Sequence, residues 1–272
     1  MAKKIWLVTG ASRGFGRIWT EAALTRGDRV AATARDLKTL DALVERFADA
    51  VLPLALDITD ADAVNQAVAA AHQHFGRLDV IVTNAGYALT GALEETTVEE
   101  ARANFETNVI GTFSTIKSVL PFLREQGYGH ILSVSSIGGL VPYAPLYSVY
   151  AGSKFAIEGM VQSLAQEVAG FGIKITLIEP GPFATDFYSS SLKTATPRKS
   201  YDPVREQLAK MFTPDMLGDP KATADAILKV VDADKPPLHF MLGPVLPMVK
   251  QVYADRVRSW EEWEQVSRAA QG

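Results

Sequence analysis

The amino-acid sequence predicts an α/β fold: one open, parallel sheet of about seven strands, doubly wound by helices on both faces. Three observations carry this expectation. Short β-branched apolar runs of strand length alternate with longer, alanine-rich stretches of helical spacing. Several of those runs are apolar at nearly every position, as a parallel strand requires when helices cover both of its faces. The chain has 272 residues, 47 % of them apolar and 21 % charged, enough for a substantial core and within the size that α/β folds reach as one unit. Residues 1–272 are therefore expected to form a single domain.

Strands are expected at Ile5 to Thr9, Arg29 to Ala34, Val51 to Ala55, Asp79 to Thr83, His130 to Val134 and Ile173 to Ile178, with a shorter one at Leu238 to Met241. The segments between them read as amphipathic helices. In Ala61 to Phe75, the residues Ala63, Val64, Ala67, Val68 and Ala71 share a face, Asp60 stands at the N-cap, and Gly76 marks the stop. The composition changes after residue 186. Between Phe187 and Pro220 come Ser189, Ser190, Ser191 and several prolines without a strand pattern, so 187–220 is expected to be a partly mobile substrate loop. In the C-terminal extension, 245–272, the residues Trp260, Trp263, Glu261, Glu262 and Glu264 mark an amphipathic helix. Packing against the domain is the expected use of that helix, ahead of binding a partner.

The absence of cysteine excludes disulfides, zinc-thiolate sites, iron–sulfur clusters and cysteine nucleophiles, so redox chemistry would need a bound cofactor. The 27 basic and 31 acidic side chains give a formal charge of −4, which offers no general attraction to nucleic acid or anionic lipid. Thr9, Gly10 and Arg13 interrupt the first apolar run well short of a signal peptide, and no segment approaches the roughly 18 apolar residues of a membrane span. A cytoplasmic protein is expected, with neither nucleic-acid nor membrane partners.

The first strand runs into Thr9-Gly10-Ala11-Ser12-Arg13-Gly14-Phe15-Gly16 and then into a helical pattern. Small residues at this place let the backbone turn sharply and approach a pyrophosphate, whose charge the helix N-terminus favours; this is the loop of a Rossmann-type sheet. The spacing Gly-x-x-x-Gly-x-Gly differs from the commoner Gly-x-Gly-x-x-Gly and lacks the ending of a P-loop. The second strand ends in Ala34-Arg35-Asp36, beside the expected adenosine ribose. An acidic side chain there would favour a ribose hydroxyl, whereas Arg35, with Arg13 from the loop, would neutralise a 2′-phosphate. NADP(H) is therefore preferred over NAD(H), which remains possible because of Asp36, itself also readable as a helix cap. Asp57, followed by Ile58, either accepts a bond from the adenine amino group or serves as a turn aspartate.

Tyr150 and Lys154 are four apart in a helical pattern and share one face. A phenol ordinarily titrates near ~10, and an adjacent ammonium favours its ionised form, bringing it nearer to working pH as a proton donor or acceptor. Ser135-Ser136-Ile137-Gly138-Gly139 follows the fifth strand, Thr83-Asn84-Ala85-Gly86 the fourth, and Asn108 lies in a helix. Open parallel sheets bind ligands beyond the carboxyl ends of their strands, where these segments should meet.

Over about residues 3 to 186, the chain resembles the short-chain dehydrogenase/reductase family of the compact, single-domain kind, with weaker likeness beyond. The family's glycine motif matches Gly10, Gly14 and Gly16, its Asn-Ala-Gly matches Asn84, Ala85 and Gly86, and its helix asparagine matches Asn108. Its serine maps to Ser136 and its Tyr-x-x-x-Lys to Tyr150 and Lys154. Two departures stand out. Thr83 replaces the first Asn of the usual Asn-Asn-Ala-Gly, and Ser136 precedes Tyr150 by fourteen residues where thirteen is common. The second implies a loop insertion around Val141 to Leu146 and leaves Ser135 as a fallback.

The resemblance implies a proton relay. Tyr150 would protonate a carbonyl oxygen held by Ser136; Lys154 would bind the ribose and lower the tyrosine pKa; Asn108 would position a water leading to Lys154. Pro180, Gly181 and Thr185 match the segment that touches the nicotinamide end. Tyr147 is expected to be a pocket wall or packing residue. A fairly apolar pocket is expected from Leu140, Val141, Tyr143, Leu146 and Tyr147 on one side and Phe183, Phe187, Tyr188 and Leu192 on the other. His72 and His74 point to different helix faces, and His130 and His239 have no acidic partner at ligand spacing, so no metal site is indicated.

The expected activity is NADP(H)-dependent hydride transfer between the nicotinamide and a small-molecule ketone or secondary alcohol. A non-catalytic NAD(P)-binding regulator would share the glycine loop without needing Ser136, Tyr150, Lys154 and Asn108. A sugar-nucleotide epimerase or dehydratase usually has a longer C-terminal domain and another glycine spacing. The family's usual assembly implies a homodimer or homotetramer through residues 97–126 and 150–170.

Overall fold

The computed structural model describes residues 3–186, 191–211, 213 and 216–271. Strand β1 (Ile5–Val8) leads through the glycine turn into α1 (Gly14–Thr25), β2 (Arg29–Ala34), α2 (Asp41–Phe47), β3 (Val51–Ala55) and α3 (Ala61–Phe75). The chain then forms β4 (Val80–Thr83), a short β5 (Ala88–Thr90), α4 (Val98–Phe105), a single π-helical turn (Glu106–Ile110) and α5 (Gly111–Gln126). After β6 (Gly129–Val134) come α6 (Ser148–Val168), β7 (Ile173–Pro180), a short β8 (Leu192–Thr194), α7 (Asp202–Met211), α8 (Thr223–Asp232), β9 (His239–Leu242) and α9 (Leu246–Ala269).

Seven strands form one sheet in the order β3-β2-β1-β4-β6-β7-β9, every neighbouring pair parallel. The alternation of side chains along a strand explains its near-continuous apolar sequence. In β1, Ile5 and Leu7 join the cluster under α3, α5 and α6, with Val64, Val68, Val119, Leu123, Ile157 and Val161. Trp6 and Val8 face the opposite layer, with Trp19, Leu43, Ile227 and Val231 from α1, α2 and α8 and Leu40 from the turn before α2. Both tryptophans keep a polar partner: Trp6 Nε1 donates to Asp28 (2.8 Å) and Trp19 Nε1 to Thr223 (2.8 Å). The cap expected for α3 is present, Asp60 accepting from the N–H groups of Asp62 and Ala63 while Gly76 closes the helix in a left-handed conformation.

The seven expected strands lie within a residue or two of those observed. The segment 187–220 departs from expectation. It contains β8, which pairs in parallel with β5 over Ala88–Thr90, and it contains α7. Three-residue strands are too short to leave a periodic pattern, and their pairing exists only between segments about a hundred residues apart. Phe187 and Tyr188 lie outside the described residues. The C-terminal helix also differs. Of its side chains only Val249 is buried, against Leu140 and Val141, whereas Trp260 and Trp263 are 63 % and 65 % exposed. Among the described residues, no helix is long and apolar enough to cross a membrane.

Candidate active site

The chain runs from β1 outward to β3 and returns to place β4 on the other side of β1, so the strand order reverses between β1 and β4. A crevice outside the carboxyl ends at such a reversal is the ligand site of open α/β sheets. A cavity of about 330 Å³ lies there.

The glycine turn forms one end. Gly10 has φ +69, a conformation open to glycine at little cost, and a Cβ on Gly16 would overlap the Gly10 carbonyl and the Asn84 amide. Gly16 is outside the cavity lining; its bareness lets α1 start close to the turn. Asn84 Nδ2 donates to the carbonyls of Thr9 (3.0 Å) and Gly10 (3.1 Å), and Thr9 Oγ1 accepts from the backbone of Asn84 (3.0 Å) and Ala85 (3.1 Å). The turn after β1 and the segment after β4 are thus tied into one floor.

Ser12, Arg13, Gly14 and Phe15 line this end, together with Ala34 and Arg35 after β2 and Asp57 and Ile58 after β3. Asp57 accepts from the backbone (3.0 Å) and hydroxyl (2.8 Å) of Thr59. Those bonds, the backbone one foremost, and the charge of Arg35 hold its carboxyl below the usual range despite burial. Asp57 is therefore a turn aspartate and a cavity wall at once. Asp36 caps the short helical turn that follows it, accepting from Lys38 N at 3.1 Å.

The other end is built by α6 and the ends of β6 and β7. Tyr150, Lys154, Ser136, Pro180 and Gly181 line it, whereas Thr185 lines the cavity beside the glycine turn, where a Cβ on Gly14 would meet it at 3.8 Å. Ser136 accepts from Gly138 N (3.0 Å), lines the cavity together with Ser135 and Tyr150, and favours the ionised form of the Tyr150 phenol. Tyr150 is 5 % exposed. Burial pushes its phenol up, and the neighbouring Ser136 only partly opposes this. Lys154 Nζ donates to the Val134 carbonyl at 2.8 Å and lies 5.9 Å from the Tyr150 ring centre. Burial pushes this ammonium down to about 8, with the Glu158 carboxylate working against the shift. The expected lowering of the tyrosine pKa by Lys154 is thus not met in this arrangement. The ammonium is turned to a β6 carbonyl, and burial drives each group toward its neutral form.

Asn108 sits in the π-helical turn and is 1 % exposed. Its Oδ1 accepts from Tyr87 N (3.0 Å), and its Nδ2 donates to Tyr87 O (3.0 Å) and Ser153 Oγ (3.1 Å). It fastens the segment after Gly86 to α6 beside Lys154. A π-turn inside a helical stretch is a frequent mark of a functional site, and here it delivers that amide.

Of the expected substrate residues, Tyr143 lines the cavity, as does Phe183. Val141 and Tyr147 do not. Val141 N bonds the Ile137 carbonyl, and its side chain is fully buried under α9; Tyr147 packs edge-on to Tyr150, ring centres 6.2 Å apart. Tyr87, Thr107, Asp186 and Lys193 also line the cavity without having been singled out from the sequence. Lys193 Nζ stands 4.5 Å from the Tyr87 ring centre, a contact that needs the β5–β8 pairing, and the Asp186 carboxylate accepts from Gly14 N at 3.2 Å.

His239 corrects a further expectation, for it does have acidic partners. Its Nδ1 lies 2.6 Å from Glu179 and 3.8 Å from Glu158, residues of β7 and α6 that no sequence spacing links to it. One ligand atom from each of the three lies within 4.8 Å of the others. Burial pushes both carboxyls up to about 7. His130 instead bonds Thr176 (2.9 Å), and burial pushes it down to about 3.

Comparison with known proteins agrees with this geometry. The family model described as short chain dehydrogenase matches residues 4–195. The oxidoreductase BOA17 of Botryotinia fuckeliana is 42 % identical, covering 98 % of this chain and 99 % of its own. The 3-ketodihydrosphingosine reductase of Bacteroides thetaiotaomicron is 35 % identical over 96 % of this chain and 94 % of its own. A crystal structure of a short-chain dehydrogenase from Streptomyces avermitilis superposes with a TM-score of 0.89 at 38 % identity, covering 99 % of this chain and 98 % of that one. The chain belongs to the short-chain dehydrogenases and is an NAD(P)-dependent oxidoreductase of that family.

Proposed function

We propose that this protein is an NADP(H)-dependent ketone reductase, or secondary alcohol dehydrogenase in the reverse direction, acting on a fairly apolar small molecule. The observation that carries the reading is the shared wall on which Ser136, Tyr150 and Lys154 meet, at the opposite end of one cavity from Arg13 and Arg35. The bare turn at Gly10 and Gly14, the start of α1 and the small Ala34 beside Arg35 fit a dinucleotide with a 2′-phosphate. Arg13 and Arg35 would hold that phosphate, and Pro180, Gly181 and Thr185 would border the nicotinamide. When bound, the cofactor supplies or accepts the hydride.

The protein's own residues handle the proton. Burial keeps Tyr150 protonated, the form needed to donate to a carbonyl oxygen as charge develops there. Ser136, on the same cavity wall as the phenol, would donate to that same oxygen. The Lys154 ammonium, one helical turn along, would restore charge balance when it leaves the Val134 carbonyl for the ribose. Tyr143 and Phe183 supply apolar walls, and the name of the Bacteroides relative supports a ketone substrate. A homo-oligomer through α4, α5 and α6 is part of this reading, supported by the exposed Phe105, Ile110, Phe113 and Phe155 on those segments.

The test is a screen of ketones and secondary alcohols followed by NADPH absorbance, with NADH as control. Tyr150→Phe is expected to lower kcat by about 10²–10⁴-fold, the span of general-acid catalysis, while dinucleotide binding measured by fluorescence is retained. Undiminished turnover in that variant would remove the proposed chemistry.

A further inference from the structure

Helix α9 runs for 24 residues, and the face that seats Val249 and Val252 on the domain continues past it without cover. Along that continuing side lie Tyr253, Val257, Trp260 and Trp263, all exposed. Apolar surface of this extent on one helix marks an interaction site. The charges say what would cover it. Residues 246–258 carry Lys250, Arg256 and Arg258 against Asp255, whereas residues 259–269 carry Glu261, Glu262 and Glu264 against Arg268. One half of the helix is basic and the other acidic, so the helix complements its own reversed copy.

We propose that α9 pairs antiparallel with α9 of a second copy of this chain, about a two-fold axis near Val257. That register sets Tyr253 against Trp260 of the second copy and Lys250 beside its Glu264, apolar seam inside and opposite charges at the flanks. An anionic membrane fits less well, since three glutamates surround the two tryptophans where an interfacial helix would carry cations. The pairing does not require the α4–α5 interface and would add to it.

The absence of cysteine gives a clean test, because an introduced cysteine is the only thiol in the chain. Val257→Cys is expected to form a disulfide-linked dimer under mild oxidation, its two copies facing across the axis. Leu246→Cys is expected not to, since the two copies of that residue would lie on the order of 30 Å apart along the paired helices. Lys250→Glu should weaken cross-linking in the Val257→Cys background several-fold, and adding Glu264→Lys should restore it. Trp260→Glu with Trp263→Glu should halve the particle mass seen by light scattering, with the far-ultraviolet dichroism of the folded protein kept. Equal cross-linking at both positions, none at Val257, an unchanged mass, or binding of vesicles containing phosphatidylserine through the two tryptophans would each overturn the proposal.

Discussion

Lys154 shows how one side chain can carry a pH dependence. Its ammonium is deeply buried, its hydrogen bond goes to the Val134 carbonyl, and burial has brought it down to about 8. A lysine lowered by burial is charged below that value and neutral above it. If its charge supports turnover as proposed, reductase activity should decline as pH rises through about 8, without change in far-ultraviolet dichroism. Lys154→Arg keeps a cation, because guanidinium resists deprotonation, and is expected to move the alkaline limb upward even if its kcat is lower. A pH–rate profile of kcat for both proteins decides this. Tyr150 and Ser136 could be chosen from the sequence by type and spacing, and the structure brings them together. What sequence spacing could not supply was the direction of the perturbation, which depends on how much protein covers each group.

At the scale of elements, the small sheet of β5 and β8 and the helix α7 form a wall that reaches the cavity through Lys193, and Glu95 anchors it. This side chain, held among backbone and guanidinium donors, accepts from Arg198 N (2.6 Å), Ala92 N (2.8 Å) and Arg205 (2.8 Å). Those bonds, the Arg198 backbone N–H foremost, hold its carboxyl down to about 2. A lowered carboxyl contributes its stabilisation above its unfolded pKa and loses it as pH falls toward the folded one, so this anchor holds throughout the neutral range. Glu95→Ala leaves Arg205 and two backbone N–H groups without their acceptor. The expected outcome is faster proteolytic cleavage between residues 192 and 211 and a KM for ketone raised several-fold, with the KM for NADPH little changed. Limited proteolysis and steady-state kinetics measure both. The wall was illegible in the sequence because its strands are three residues long and its ion pairs join residues more than a hundred positions apart.

For the whole molecule, stability should follow the buried groups behind the active site. Glu158 and Glu179 are raised by burial to about 7, so the folded state keeps protons that the unfolded chain releases near ~4.3. Their contribution is complete below the unfolded value and is lost as pH rises to about 7. His130 acts in the other direction. Burial lowers it to about 3, so acidification below the ordinary imidazole range destabilises the fold. A Tm maximum on the mildly acidic side of neutrality is expected. Glu158→Gln together with Glu179→Gln should flatten the loss between about pH 5 and pH 8, which calorimetry across that range would show; an unchanged slope would mean that these carboxyls do not titrate there.

The sequence by itself determined the parallel sheet, its two helical layers and the residues of the glycine turn. Those features rest on local periodicity and on steric needs that neighbouring residues announce, as at Gly10 and Gly16. The same holds for the tyrosine, lysine and serine, whose types and spacing are written into single segments. The tertiary structure alone decided that Asn108 would clasp Tyr87 and Ser153, that Lys193 would reach the cavity beside Tyr87, that Glu158, Glu179 and His239 would meet, and that α9 would project. Each depends on contacts between distant parts of the chain, and burial then sets the charge each group carries.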